Sequence, residues 1–332
     1  MSEARTPSVN VLVNGVLVPG ILDVEVIGNN HLAANRFRFR ASLTASGYHT
    51  WASDVLSVEI RIGLAGAWSS LIYGEVDQLD VDVGRGVVHV DGRDLTSRFI
   101  ESRTQESFEN QTASEVALTL AARRGLTPVI TPTMSIIGRD FENGTSRVTL
   151  SQHARFTTEW DLLIGLAGSE GFDVWVEGQA LYFSPPDQTA SELTLCPSDC
   201  LSIRLQRLAT LSGGIAVTVR SWDSQGQRAV EQIASSAQGG RRSYSITQPN
   251  LTEGAAQIQA QRLMRQMAQH ERSVCIEMPG DLTTRPRDLL TLVETNTDFD
   301  GMWSITSVER RLSFHHGFTQ VLEARIPAWT IS

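Results

Sequence analysis

One stretch of the chain is laid out twice, and that duplication limits the folds open to it. Asp54 to Arg93 opens on a short strand-like run, Asp54-Val55-Leu56-Ser57-Val58. A long run from Leu71 to Val83 follows, then Gly84-Arg85-Gly86, then a return run from Val87 to Arg93. The same order recurs near the other end, with Asp288-Leu289-Leu290-Thr291-Leu292, Met302 to Phe314, His315-His316-Gly317 and Phe318 to Arg325. Each copy reads as a strand followed by a long hairpin whose turn contains glycine, which takes positive φ at no steric cost. A pattern repeated in order, more than in identity, is what a duplicated supersecondary unit leaves behind.

Around the first copy, residues 9 to 91 read as continuous antiparallel β. Val9, Val11 and Val13 alternate with more polar partners, Asn14-Gly15 is a two-residue hairpin turn, and Val16 to Val18 returns. Leu22, Val24 and Val26 alternate next. Phe37, Phe39 and Ala41 alternate with Arg36, Arg38 and Arg40, which puts rings on one face and guanidinium groups on the other. Many short strands with turn signals and no helix of consequence suggest a small barrel or sandwich, and a closed barrel would also remove exposed edges.

The period changes after Gly92-Arg93-Asp94. Thr112-Ala113-Ser114-Glu115 is a capping box, followed by Val116, Ala117, Leu120 and Ala121 at helical spacing. Gly125-Leu126 reads as a left-handed C-cap, and Pro128 prevents continuation. A second helix is capped by Thr157 or Thr158, carries the stripe Trp160, Leu163 and Ala167, and ends at Gly171-Phe172. Val174, Val176, Leu181 and Phe183 then form a strand pair around Glu177-Gly178, and Pro185-Pro186-Asp187 marks the exit.

From Leu201 the β pattern resumes, with Ile215 to Asp223 a strand and Gln238-Gly239-Gly240 a loop tip. Thr252 caps the longest helix, to about His270, with Ala255, Ile258, Leu263 or Met264, and Met267 along one side. That helix enters where the first copy has only the loop Gly28-Asn29-Asn30-His31. After it, Val274, Ile276 and Met278 are the counterpart of Phe37, Phe39 and Ala41. The expected division is therefore residues 1–97, a first β domain; 98–195, a small α/β insert; and 196–332, a second β domain with an added helix near 252–270.

Chemistry is thinly represented. The 332 residues carry a net charge of -9, which argues against the basic surface of an ordinary nucleic-acid binder. No apolar run approaches the roughly 20 residues that span a bilayer. The N-terminal segment Met1 to Pro7 lacks the apolar core of a signal peptide, so synthesis in the cytoplasm is expected. Cys196, Cys200 and Cys275 show no paired metal-ligand spacing, and the asparagines of the Asn-x-Ser/Thr matches at 110, 143 and 250 carry no weight without secretion.

No nucleophile elbow, phosphate loop, zincin helix or dinucleotide fingerprint is present. Glu75, Asp77, Asp80 and Asp82 fall on one long strand and read as a solvated face. His315-His316 would point to opposite faces of a strand-turn, and Asn296, Asp298 and Asp300 fit no calcium spacing. Arg241-Arg242 and Arg310-Arg311 read as rim charges of an interface. Trp222 at the end of Ser221-Trp222-Asp223 reads as packing on a core rim with its indole N–H bonded to a carbonyl. The expectation is no enzyme: no catalytic, cofactor-binding or metal-binding residue, and no cofactor. The alternative is a carbohydrate-binding tail or surface protein, resting on Trp51, Trp68, Tyr73 and Trp222 near turns.

Taken in order, several runs resemble one family. Gly92-Arg93-Asp94-Leu95-Thr96, then Phe108-x-Asn110-x-Thr112-Ala113-x-Glu115-Val116-Ala117-x-x-Leu120-Ala121 up to Gly125-Leu126, is similar to phage tail baseplate hub proteins, the late control protein D family. So are Thr158-Glu159-Trp160-Asp161-Leu162-Leu163-x-x-Leu166-Ala167-x-x-x-Gly171-Phe172, Val217-x-Val219-x-Ser221-Trp222-Asp223 and Met278-Pro279-Gly280-Asp281. The first three runs also resemble the hub part of type VI secretion spikes. The resemblance implies a mainly β fold in which two related tube-like antiparallel barrels in tandem are joined by a small α/β domain. It implies a virion structural protein of the tail: a homotrimer that adapts a sixfold tail tube or distal tail ring to a threefold central spike. It also implies a possible contact with the tape-measure protein, and a conduit through which DNA passes without specific binding. The chain runs to Ser332 without a fused needle repeat or a lysozyme-like segment, so spike and cell-wall activity are expected in separate proteins.

Overall fold

The computed structural model describes residues 6–30, 33–51, 55–64, 66–103, 108, 111–134, 136–137, 158–186, 192–223, 227–236, 240–248 and 251–331. His31, Asp54, Asn110, Asn143, Thr157, Asp187, Gln238, Gly239 and Asn250, singled out above, lie outside them, as do residues 1–5. The chain forms two compact units. The first is Met1–Ala190 with Gly280–Thr284 and Val308–Gln320, and the second is Ser191–Pro279 with Arg285–Ser307 and Val321–Ser332. Among the described residues no helix is long and apolar enough to cross a membrane.

The first unit opens with seven strands: β1 (Ser8–Val13), β2 (Val16–Leu17), β3 (Ile21–Asn29), β4 (Arg36–Ser42), β5 (Ser57–Leu64), β6 (Ala67–Asp82) and β7 (Val87–Asp94). They pair antiparallel in the order β3-β4-β7-β6-β5-β1-β2. Asn14 and Gly15 both take positive φ, 50° and 78°, as a two-residue hairpin turn matched to strand twist requires. The alternation in Arg36 to Ala41 does what it should: Phe37, Phe39 and Ala41 are buried and the three arginines are exposed. Val11, Val24, Phe39, Ile60 and Val88, drawn from strands at both ends of that path, share one core in which Trp51 meets Phe39 edge-on. Among the described residues this core is built mainly by the strands themselves, with Trp51 added from a short 3-10 turn, Tyr48–Trp51. Each fully buried ring or aliphatic there contributes about 1.5–3 kcal/mol. Leu22 departs from the expected alternation because a bulge between Ile21 and Asp23 leaves it exposed.

The strand expected over Asp54 to Val58 starts later, at Ser57, and is longer. β6 is also longer than its expected run, because it serves two ladders in turn. Ala67–Glu75 pairs with β5, and Gly74–Asp82 pairs with β7. Beyond Glu75 the edge of β6 that faced β5 keeps one backbone bond among the described residues, Val76 N–H to the Leu56 carbonyl at 3.0 Å.

A small α/β insert follows. Its elements are α1 (Ser97–Ile100), β8 (Gln111–Thr112), α2 (Ala113–Arg123), β9 (Thr127–Ile130), β10 (Ile136–Ile137), α3 (Glu159–Glu170), β11 (Asp173–Glu177) and β12 (Ala180–Ser184). The capping box forms: Thr112 Oγ1 accepts from Glu115 N–H at 3.3 Å, and Glu115 accepts from Thr112 N–H at 2.7 Å. Gly125 takes φ 71° while Leu126 N–H donates to the Ala121 carbonyl, the left-handed stop that the sequence predicts. Thr158 caps α3, and Gly171 at φ 72° ends it. Leu120, Leu163, Val174, Leu181 and Phe183 close one core. β9 was not legible: it contains Pro128 and pairs parallel with β12 at the sheet edge, where a missing N–H costs no ladder bond.

The remaining elements are β13 (Glu192–Leu195), β14 (Ser202–Arg207), β15 (Ile215–Asp223), β16 (Arg228–Ser235), β17 (Arg242–Thr247), α4 (Glu253–Ala268), β18 (Arg272–Pro279), β19 (Leu289–Leu292), β20 (Gly301–Ser313) and β21 (Gly317–Arg325). β19, β20, β21, β18 and β14 neighbour one another in that order, which repeats β5, β6, β7, β4 and β3 strand for strand. The fold is therefore mainly β, with tandem rolled antiparallel domains and a small α/β insert.

Between β14 and β18, where the first copy has only the loop after β3, the chain adds more than a helix. β15, β16 and β17 form their own sheet, and α4 packs on it through Ala256, Ala260, Met264 and Ala268. The expected face holds at Met264, with Leu263 and Met267 packed beside it, and is corrected at Ala255 and Ile258, whose place is taken by the alanines. Ile258 is 69% exposed, because the small i, i+4 alanines let the helix approach the sheet closely and turn Ile258 outward.

Candidate interaction surface

The outward side of β3, β4, β7 and β6 carries charge in cross-strand rows. Asp23, Arg40, His89 and Asp80 lie opposite one another, and Glu25, Arg38, Asp91 and Gln78 form the next row. Arg38 Nε donates to Asp91 at 2.6 Å and Arg40 Nε to Asp23 at 2.6 Å, and both guanidinium pKa values rise through these bonds. Arg93 grips Asp77 with two bonds, 2.6 and 2.7 Å, and also reaches Glu101. Arg98 holds Glu75 at 3.1 Å. Exposed pairs of this kind contribute about 0–1 kcal/mol each, so they set orientation more than stability. A groove of about 800 Å³ runs over this face, lined by Arg38, Arg40, Asp80, His89, Arg311 and His316 among others. The carboxylates read as a solvated strand face are thus mostly engaged by arginine, and Asp80 is the one that stays exposed without an ion pair among the described residues.

Arg310 and Arg311 part company. Arg310 is buried, donating to the carbonyls of Asp281 at 2.8 Å and of Thr284, so it is not a rim charge as expected. Burial works against the charge on Asp281, but bonds from Thr284, Gln320 and Thr283 outweigh it and hold its carboxyl below the usual range. Arg311 is exposed and reaches Glu25 of β3 at 3.7 Å, with a second contact to Glu309.

The other candidates do not converge. Asp300 accepts from Thr295 N–H at 3.0 Å and Asp298 pairs with Arg272 of β18 at 2.9 Å, so both carboxylates are engaged by protein groups. Cys196 lies 3.0 Å from Asp199 in a short turn, and burial pushes the Cys200 thiol up. Among the described residues no group of three His, Cys, Asp or Glu is placed to hold a metal ion. The aromatic set behind the carbohydrate alternative is dispersed: Trp51 belongs to the first β core, Tyr73 packs against the insert core, and Trp68 lies on Gly63. Trp222 is 57% exposed and does not pack on a core rim as expected, because its side chain falls on the sheet face opposite α4.

Two buried acids escaped sequence reasoning. Glu159, 1% exposed, takes Arg124 with two bonds of 2.7 Å and Arg123 at 3.3 Å, tying the start of α3 to the end of α2. Asp94, at the end of β7, is pushed up to about 6 by burial despite bonds from Thr96 and Asn35. The hydroxyl-rich and arginine neighbours were visible, but only the fold shows that these carboxylates are inside.

No family model matches the sequence, and no curated protein matches it. Solved structures do match the fold. The tail protein from Neisseria meningitidis MC58 aligns with a TM-score of 0.75 at 14% identity, covering 97% of each chain. The 43 kDa tail protein of prophage MuSo2 from Shewanella oneidensis aligns with a TM-score of 0.75 at 16% identity, covering 98% of this chain and 100% of that one. The E. coli c3393 protein is a component of the type VI secretion system with structural similarity to T4 tail proteins gp27 and gp5. It aligns with a TM-score of 0.60 at 12% identity, over 95% of this chain and 76% of that one. The chain has the fold of these tail and secretion-system proteins.

Proposed function

We propose that this chain is a non-enzymatic structural hub of a phage or phage-like tail. In this reading three copies form a ring whose six similar β domains match a sixfold tube or distal ring on one side. A threefold spike sits on the other side, and DNA passes through. Residues 1–97 and 196–332 supply the paired β domains, and 98–195 the insert between them. The observation that carries the reading is the repeated strand order, β5-β6-β7-β4-β3 and β19-β20-β21-β18-β14, in a chain with a tail-protein fold. Two equivalent domains per chain give a trimer twice its rotational order. The net charge of -9 suits a wall that DNA passes without adhering. Size-exclusion chromatography with light scattering is expected to give three times the chain mass of 36.4 kDa, with rings by electron microscopy. A strictly monomeric species at high concentration overturns the reading.

A further inference from the structure

The duplication also points to the strands that join one copy to the next. Within the first unit the outer part of β20, Val308–Ser313, lies beside β3, with Arg311 on Glu25. By strand order β20 corresponds to β6, and β3 corresponds to β14. The outer part of β6 and the far edge of β14 have no strand beside them among the described residues. An open edge of this kind is a template for pairing with another chain.

The equivalence extends to residues. The turn glycines Gly86 and Gly317 share φ values of 68° and 67°. Counting back six from each places Asp80 (86 − 6) at the position of Arg311 (317 − 6). On the other strand, Glu25 of β3 sits across from the residue between buried Phe37 and Phe39, and Arg204 of β14 sits across from the residue between buried Val274 and Ile276. Arg204 therefore stands where Glu25 does. The pair made within the chain, Arg311 with Glu25, becomes Asp80 with Arg204, with the charges exchanged. Both are exposed, and neither makes an ion pair among the described residues.

Burial agrees. Val24 and Val26 of β3, which has strands on both sides, are 3% and 4% exposed. Their counterparts Ile203 and Leu205 on the open edge are only half-buried, as are Leu79 and Val81 of β6. We infer that the open edge of β6 in one copy receives β14 of a second copy, with Asp80 facing Arg204. Each copy offers one of each edge, so the contact is head-to-tail, and it closes into the proposed trimer ring when each copy is turned by a third of a revolution from the last. The inference rests on the trimer reading above and specifies its interface.

Charge reversal tests it. Asp80→Arg and Arg204→Asp are each expected to raise the concentration for half-association by about tenfold or more, and the double variant to restore it to within about threefold of wild type. Circular dichroism and melting of the dilute variants check that they remain folded. Amide hydrogen exchange on the unaltered protein gives a second measurement. Alternate amides in 77–82 and 202–207 are expected to be protected in the assembled form and open on dilution. A wild-type monomer at every concentration refutes the hub reading itself. An assembled wild type with fast exchange in both segments, or with association indifferent to both single reversals, refutes the assignment of these edges and leaves them to another partner.

Discussion

Asp94→Asn isolates the energetic cost of a buried charge at the end of β7. The carboxyl is 4% exposed and is raised from 3.8 to about 6, chiefly by burial. A raised carboxyl pKa means that the folded state holds the proton more tightly than the unfolded one. Below about pH 3.8 both states are protonated and there is no penalty. Between 3.8 and 6 the unfolded chain ionises first, so stability falls as pH rises, and above 6 the loss is complete. The difference of about 2 pKa units corresponds to roughly 3 kcal/mol at neutral pH. Asparagine keeps an oxygen to accept the Thr96 N–H, bonded to Asp94 Oδ1 at 3.1 Å, and removes the charge. Its amide end must turn toward the side of Asn35, which costs about 1 kcal/mol. The net expectation is a gain of about 2 kcal/mol at pH 7.5, a rise in melting temperature of roughly 4–8 °C for the unit that melts with β7. At pH 3.5 the variant is level with the wild type or slightly below it. Melting curves of both proteins at the two pH values decide the matter. A shift of equal size and sign at both, or destabilisation at pH 7.5, refutes the buried-charge account.

Two further substitutions probe contacts that the fold depends on. A Cβ at Gly92 would lie 2.3 Å from the Glu75 carbonyl and from the Phe37 ring, so Gly92→Ala is expected to separate β6 from β7, cost about 3 kcal/mol or more, and shift soluble expression toward aggregate. Glu159→Ala removes the buried carboxylate that Arg124 grips with two bonds, and because Arg124 reaches solvent the expected cost is about 2–4 kcal/mol. Faster proteolysis within the insert, with the β domains unaffected, is the check.

The parts of the fold legible in the sequence were those governed by local rules. The Phe37-Phe39-Ala41 alternation, the Asn14-Gly15 turn and the Thr112 to Glu115 capping box each depend on a few adjacent residues, and each formed as written. β9 was missed because Pro128 argues against a strand unless the strand is an edge, which is a property of the sheet and not of the segment. On α4 the expected face holds at Met264 but not at Ile258, for a similar reason. Ala256, Ala260 and Ala268 are weakly hydrophobic in a list but well suited to close packing on β15, while Ile258 dominates any pattern count and faces out. Arg310 looked like a surface charge because nothing local shows that the carbonyls of Asp281 and Thr284 lie beside it.

A duplicated domain that closes a ring meets a difficulty that a simple homo-oligomer does not. In the proposed trimer one junction, β20 beside β3, lies within a chain, and the other, β6 beside β14, lies between chains. Identical junctions would let β14 of a neighbour compete for β20 with β3 of its own chain, against the tethered strand's higher effective concentration, and open chains of irregular order would compete with closed rings. Exchanging the charges separates the two. Arg311 favours Glu25 and repels Arg204, while Asp80 favours Arg204 and repels Glu25. On this argument a single substitution that makes the junctions alike, Arg204→Glu, should broaden the size distribution toward irregular oligomers and monomers as well as weakening it. In the proposed trimer the charge of the edge selects the order of assembly, and the strand pairing supplies its strength.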